Sequence, residues 1–263
     1  MIRTLALLLV MLLSSCAAPP SPQIEAVAQR QSLGGVLTAD TVLDGAYLLE
    51  ADLQVPVGIT LTILPGSDIL VVASDSTKID PEYLSKEIEV LIRGRLLAQG
   101  TAARPIRFAL DSTDNSDSLW AGLQFVASEG SLLEHLRIEQ AETGVLCLDS
   151  SPQLNYVSIL RSRYGILLQQ NSQPLISDSQ LLDGEAGLFC WDQSAPLLQR
   201  TEISGNREEG IYLGRECAAS LRQNLIKKND RGIVLPEGVA VDSSNLIFDN
   251  RQNLQTYPSE VTE

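Results

Sequence analysis

Apolar and polar residues alternate in short bursts along most of the chain, and the bursts recur. Glycines that precede an apolar burst fall at Gly122, Gly144, Gly165, Gly187, Gly210 and Gly232, with spacings of 22, 21, 22, 23 and 22. After them come LQF, VLCL, ILLQ, LFCW, IYL and IVL. A second series ends on Ile138, Ile159, Leu181, Ile203, Ile226 and Ile247, spaced 21, 22, 22, 23 and 21. Turns rich in Ser, Asn, Asp, Gln and Pro separate the bursts, and Pro152, Pro174 and Pro196 are themselves 22 apart. Each unit is too short for a strand–helix–strand crossover and lacks a helical apolar period. Its bursts alternate with period two and are rich in Ile, Leu and Val, so each unit is predicted to hold two or three short strands. One such unit cannot bury its apolar face alone, whereas stacked units share a continuous core.

This pattern resembles the right-handed parallel β-helix of pectate-lyase-like proteins, in particular their degenerate P-x-I-x-x-x-x-I and N-x-x-G-I repeats. DLQVPVGITLTILPGSDILV (Asp52 to Val71) looks like the opening coils of that superfamily. LIRGRLLAQGTAARPIRF (Leu91 to Phe108) resembles its recurrent strand, Gly-Thr turn and Pro-Ile-x-Phe strand. The expected fold is therefore all-β, a single-stranded right-handed parallel β-helix of about eight or nine coils over residues 35–253. Coils about 4.8 Å apart make a rod on the order of 40 Å long. Ser74 to Lys86 departs from the period and is expected to bulge as a loop.

Counting from each glycine, position +1 (Leu123, Val145, Ile166, Leu188, Ile211, Ile233) and position +3 (Phe125, Cys147, Leu168, Cys190, Leu213, Leu235) are wholly apolar and are expected to point inward. Position +2 then faces out and reads Gln124, Leu146, Leu167, Phe189, Tyr212 and Val234, and +4 reads Val126, Leu148, Gln169, Trp191, Gly214 and Pro236. Leu146, Leu148, Leu167, Phe189, Trp191 and Tyr212 would thus form one apolar and aromatic patch, the candidate binding surface. A covering loop or C-terminal tail, or a slip in parity that places some of them in the core, accounts for the patch equally well. Two residues before each Ile/Leu anchor, Ser179, Thr201, Asn224 and Asn245 are expected to stack inward and hydrogen-bond along the rod. Glycine at the start of each burst is expected to serve a turn of positive φ.

The chain opens MIRTLALLLVMLLSSCAAPPSPQ. Its apolar run is too short to span a bilayer and suits a signal-peptide core. Leu13-Ser14-Ser15-Cys16 resembles a bacterial lipobox, which implies a signal peptide over 1–15, lipidation of Cys16, and a tethered lipoprotein. Several acyl chains on that cysteine would hold it stably in the membrane. Ala17, in place of the aspartate that retains enterobacterial lipoproteins in the inner membrane, favours the outer membrane. Residues 16–34 read as lipidated N-terminus and flexible tether, and 254–263 as a C-terminal tail.

The 33 acidic and 19 basic residues, a net charge of −14, argue against nucleic acid or anionic lipid head groups as partners. Cys147 and Cys190 lie two coils apart, beyond disulfide reach, and are expected as buried free thiols; Cys217, at a turn, is the more reactive candidate. The lyase and polygalacturonase motifs that this fold can carry are not legible. The one histidine, His135, is expected at the surface beside Glu134 and Arg137. Asp111, Asp114 and Asp117 share one loop without the spacing of a known calcium loop, and Lys227, Lys228, Asp230 and Arg231 read as a charged turn. No cofactor and no metal site is expected. The function expected is a non-catalytic envelope lipoprotein whose rod offers a binding face to a glycan or a protein. The alternative is a polysaccharide-active lyase or hydrolase with an unrecognised site.

Overall fold

In the computed structural model, residues 30–73, 85–111 and 118–259 are described. They form 26 strands and no helix, wound as a parallel β-solenoid of about nine turns. Every ladder between coils is parallel, because each strand pairs with its equivalent one unit later in the chain. Three faces result. Face one holds Leu136–Glu139, Ser158–Leu160, Gln180–Leu182, Glu202–Ser204, Leu225–Lys227 and Leu246–Phe248. Face two holds Gly122–Val126, Thr143–Leu148, Tyr164–Gln169, Ala186–Cys190, Glu209–Leu213, Arg231–Pro236 and Gln252–Tyr257. Face three, an eight-stranded sheet of shorter strands, includes Leu132–Glu134, Gln153–Asn155, Leu175–Ser177, Leu197–Gln199 and Ser220–Arg222. Strands run from Gln31 to Tyr257, so coil structure extends four residues beyond each end of the span that periodicity marks out.

The core is built of stacked columns from all three faces. Leu123, Val145, Ile166, Leu188, Ile211, Ile233 and Leu254 pair in succession on face two. Ile138, Ile159, Leu181, Ile203, Ile226 and Ile247 do the same on face one. Leu133, Leu154, Ile176, Leu198 and Leu221 supply the third. All are buried except the last residue of the first two columns, Leu254 and Ile247, which stand in the last described coil. Phe125, Cys147, Leu168, Cys190, Leu213 and Leu235 are buried as a second column on face two, so both inward positions read from the sequence are core positions.

The corners between faces satisfy their backbone groups by side-chain ladders. At the entry to face one, Ser179 Oγ accepts from Val157 N at 3.0 Å, Asn224 Oδ1 from Thr201 N at 3.0 Å, and Asn245 Oδ1 from Asn224 N at 3.0 Å. This is the expected inward polar column. Two more ladders occupy the other corners: Asn206, Asn229 and Asn250 between faces one and two, and Ser128, Ser150, Ser172 and Ser194 between faces two and three. Without them each corner would leave a buried N–H unpaired once per coil.

Glycine has a different task from the one expected. Of the six repeat glycines, Gly122 alone has positive φ, at 105°. The others stand where the next coil comes too close for a side chain. A Cβ on Gly187 would sit 2.4 Å from the carbonyl oxygen of Gly210 and 2.5 Å from Ile203 Cγ2, and one on Gly165 would sit 2.4 Å from the oxygen of Gly187. The left-handed turns fall instead to other residues, recurring with the repeat at His135, Tyr156, Asp178, Arg200 and Gln223.

Candidate binding face

The outward side of face two carries the predicted patch. Leu146, Leu167, Phe189 and Tyr212 lie side by side on successive coils, and Leu148 neighbours Gln169 in the adjacent column. These residues are half-buried and Trp191 is exposed at 37%. Phe189 stacks with Trp191 at 5.9 Å between ring centroids, and Trp191 with Tyr212 at 4.9 Å. Two rings missing from the sequence reading extend the row: Tyr164 meets Phe189 edge-on at 5.4 Å, and Tyr257 stacks on Tyr212 at 5.8 Å. Tyr257 occupies position +4 of a final repeat that has Asn253 where the glycine should be, so counting from glycines passes over it. Tyr164 sits one residue before its glycine, outside the columns counted.

Between these rings lies a shallow depression of about 240 Å³ lined by Tyr164, Leu167, Gln169, Phe189 and Trp191. At the late end of the row, Tyr257 donates its hydroxyl to the backbone oxygen of Leu213 at 2.6 Å. Burial pushes that phenol's pKa up to about 12, with help from Tyr212. The ends of the predicted outward columns depart from expectation. Gln124 is buried and donates to the oxygen of Ala121 at 2.9 Å, and Val234 and Pro236 are buried too. The exposed patch thus covers the middle and late coils rather than the whole face.

Cys190 ends the strand beneath this row, and it is bonded to Cys217 with a Cα–Cα separation of 5.7 Å. The expected free thiol at Cys190 and reactive thiol at Cys217 are therefore both corrected. The turn Gly214–Cys217 folds back over the preceding coil, since Gly214 N donates to Cys190 O at 2.8 Å. That return is invisible when cysteines are compared only within one column. Cys147 is free and buried, and burial raises its thiol pKa well above the ordinary value.

The remaining candidate chemical groups are held apart. His135 stacks on Tyr156 at 4.7 Å on the face-three corner. Lys227 pairs with Glu202 at 3.1 Å, Arg231 with Glu209 at 2.8 Å, and Asp230 with Arg251 of the next coil. Hydrogen bonds from Arg251 hold the Asp230 carboxyl below the usual range, while burial raises that of Glu209 against the pull of Arg231. On face one, Glu139 accepts from Arg107 at 3.1 Å, from Arg137 at 2.6 Å and from Arg161, which ties three coils together. Burial works to raise its pKa, and the hydrogen bonds from Arg137 and Arg107 overcome that and hold it low. Asp111 ends a strand at the surface; Asp114, Asp117 and Cys16 lie outside the described residues.

Comparison with known families adds one finding. The profile of the family described as periplasmic copper-binding protein (NosD) matches residues 109–259, more than half of the chain. The chain belongs to this family. NosD proteins are right-handed parallel β-helices and periplasmic, in accord with a cell-envelope location. No curated protein and no solved structure matches the chain.

The NosD description makes copper the metal to test against the residues present. Copper(I) selects thiolate and thioether ligands and copper(II) favours imidazole with other nitrogen or oxygen donors. The sequence has one histidine, two methionines and four cysteines. Met1, Met11 and Cys16 lie outside the described residues. Of the other donors, Cys190 and Cys217 are bonded to each other, Cys147 is sealed in the core, and His135 is stacked against Tyr156. Among the described residues no three of His, Cys, Asp and Glu come together as a metal site. The described residues do not fit a copper centre.

Proposed function

We propose that this chain is a non-catalytic, lipid-anchored envelope protein whose β-helix presents the aromatic row of face two to a partner. The observation that carries the reading is the row itself. Trp191, Phe189, Tyr212 and Tyr257 form a continuous stack on the outside of the rod, and a contiguous apolar and aromatic patch on a solvent-facing strand face marks a surface that a partner covers. The disulfide supports an oxidising compartment, the lipobox-like Leu13 to Cys16 supports an anchor at Cys16, and Ala17 after it favours the outer membrane. Against a hydrolase or lyase stands the pairing of described acids with arginine or lysine along the rod, as at Glu139, Asp178, Glu202 and Asp230.

The test is site-specific photocrosslinking in the native cell. A photoreactive phenylalanine analogue at Trp191 should trap a defined adduct, whereas the same probe at Arg222 on face three should not. Equal labelling at both positions, or none at Trp191, would remove the binding-face reading.

A further inference from the structure

We infer that the partner seated on the face-two row is an extended polypeptide segment carrying apolar side chains flanked by lysine or arginine; this rests on the binding-face reading above. Three features of the row lead there. First, its rings are turned toward one another. Tyr212 stacks with both Trp191 and Tyr257, and the Arg215 guanidinium lies 5.6 Å from the centre of the Tyr257 ring. A sugar needs an open ring face to lie on, whereas apolar side chains can seat between ring edges.

Second, away from its acidic edge the patch offers a sugar little to bond beyond Gln169 and Tyr164. The patch continues through Leu146, Leu148 and Leu167, and the Tyr257 hydroxyl is committed to Leu213. Sugar hydroxyls buried here would lose water without finding partners, at a cost for each one. Apolar side chains carry no such penalty.

Third, the corner that borders the row is acidic. Glu129, Asp149, Asp192, Glu216 and Glu237 recur along it, all exposed. Arg215, at the late end, is already bonded to the oxygen of Pro258, and Arg93 and Arg95 stand beside Glu129 at the early end, one coil before the patch begins. A partner with lysine or arginine beside its apolar residues complements this edge, and an anionic chain is repelled by it. From the coil of Leu146 to that of Tyr257 is five coil spacings, about 24 Å, the reach of roughly seven extended residues. That suits a segment better than the broad footprint of a folded domain.

The experiment selects a phage-displayed random dodecapeptide library on the full mature protein and screens the same protein against a glycan array. Binding is read by isothermal titration calorimetry, which serves the parent and every variant alike. Enriched peptides should combine aromatic or aliphatic residues with Lys or Arg, and Trp191→Ala with Tyr212→Ala should weaken them at least about tenfold. The triple variant Asp149→Asn, Asp192→Asn, Glu216→Gln changes only exposed corner residues, and asparagine accepts the left-handed backbone at 149 and 192. It should weaken binding several-fold and flatten its salt dependence. Peptides that lack basic residues or ignore the triple variant would overturn the inference. So would a glycan whose binding needs the rings, although the binding face itself would then stand. If neither arm yields a ligand that depends on the rings, both the inference and the binding-face reading fail.

Discussion

Removing the bond between Cys190 and Cys217 tests how far the late coils depend on it. The bridge closes a loop of 27 residues that links the end of one face-two strand to the turn after the next. In the chain-entropy description such a closure removes about 12 cal/mol/K from the unfolded ensemble, or about 3.6 kcal/mol at 25 °C. For a domain of this size that corresponds to a drop in Tm of about 7 to 14 °C. The comparison is Cys190→Ala with Cys217→Ala against the parent, both in a Cys16→Ser background, followed by circular dichroism through a thermal ramp. Alanine at 190 leaves a small void in a fully buried site, so a Cys190→Val, Cys217→Ala variant separates the loss of the bond from the loss of packing. Because coils in a solenoid contact only their neighbours, the loss should be concentrated in the coils from Ala186 onward, which hydrogen exchange would show as selective deprotection there. Two results would refute the reasoning. One is three titratable thiols in the denatured, unreduced Cys16→Ser protein, where the bridge predicts one, from Cys147. The other is a stability loss under about 1 kcal/mol in both variants, which would mean that the coil stack already restricts the chain as much as the bond does.

Other consequences are as accessible. Gly187→Ala and Gly187→Asn should each cost at least about 2 kcal/mol in urea unfolding, because the obstacle is the carbonyl of Gly210; if φ were the constraint, asparagine would be tolerated. Glu139, with its folded pKa depressed, contributes stability that is present above the unfolded value near about 4.3 and is lost as pH falls through the folded value. The urea midpoint of the parent should therefore fall below that pH while Glu139→Gln is flatter, and equal slopes would dismiss the arginine cluster as a stabilising element. Mature protein dialysed against copper(I) or copper(II) should retain well under one equivalent by mass spectrometry of the metal, and retention of a full equivalent would show that donors outside the described residues assemble a site. Cys16→Ser should shift the protein from the membrane to the soluble fraction, and unchanged partition would remove the anchor.

Local order in this protein is written in its repeats. Two series of apolar positions kept in step every 21 to 23 residues leave stacked coils as the way to bury them, so strand placement, both inward columns on face two and the inward Ser, Thr and Asn column follow from spacing alone. Parity also marked Leu146, Leu167, Phe189, Trp191 and Tyr212 as facing out, because a strand alternates with period two regardless of what surrounds it. What surrounds each strand is a property of neighbouring coils, and there the sequence was silent. The need for glycine at 165, 187, 210 and 232 arises from a carbonyl one coil away, and nothing in the residue's own neighbourhood distinguishes that from a turn of positive φ. The Cys190–Cys217 bond depends on a turn that returns across the coil below, a contact set by the path of the backbone and not by its column. Tyr257 joined the aromatic row through parallel pairing with the strand before it, in a last repeat whose glycine is missing. Periodicity determines which residues are equivalent, since each coil must repeat the geometry of the last; only the closed winding decides which equivalent residues touch.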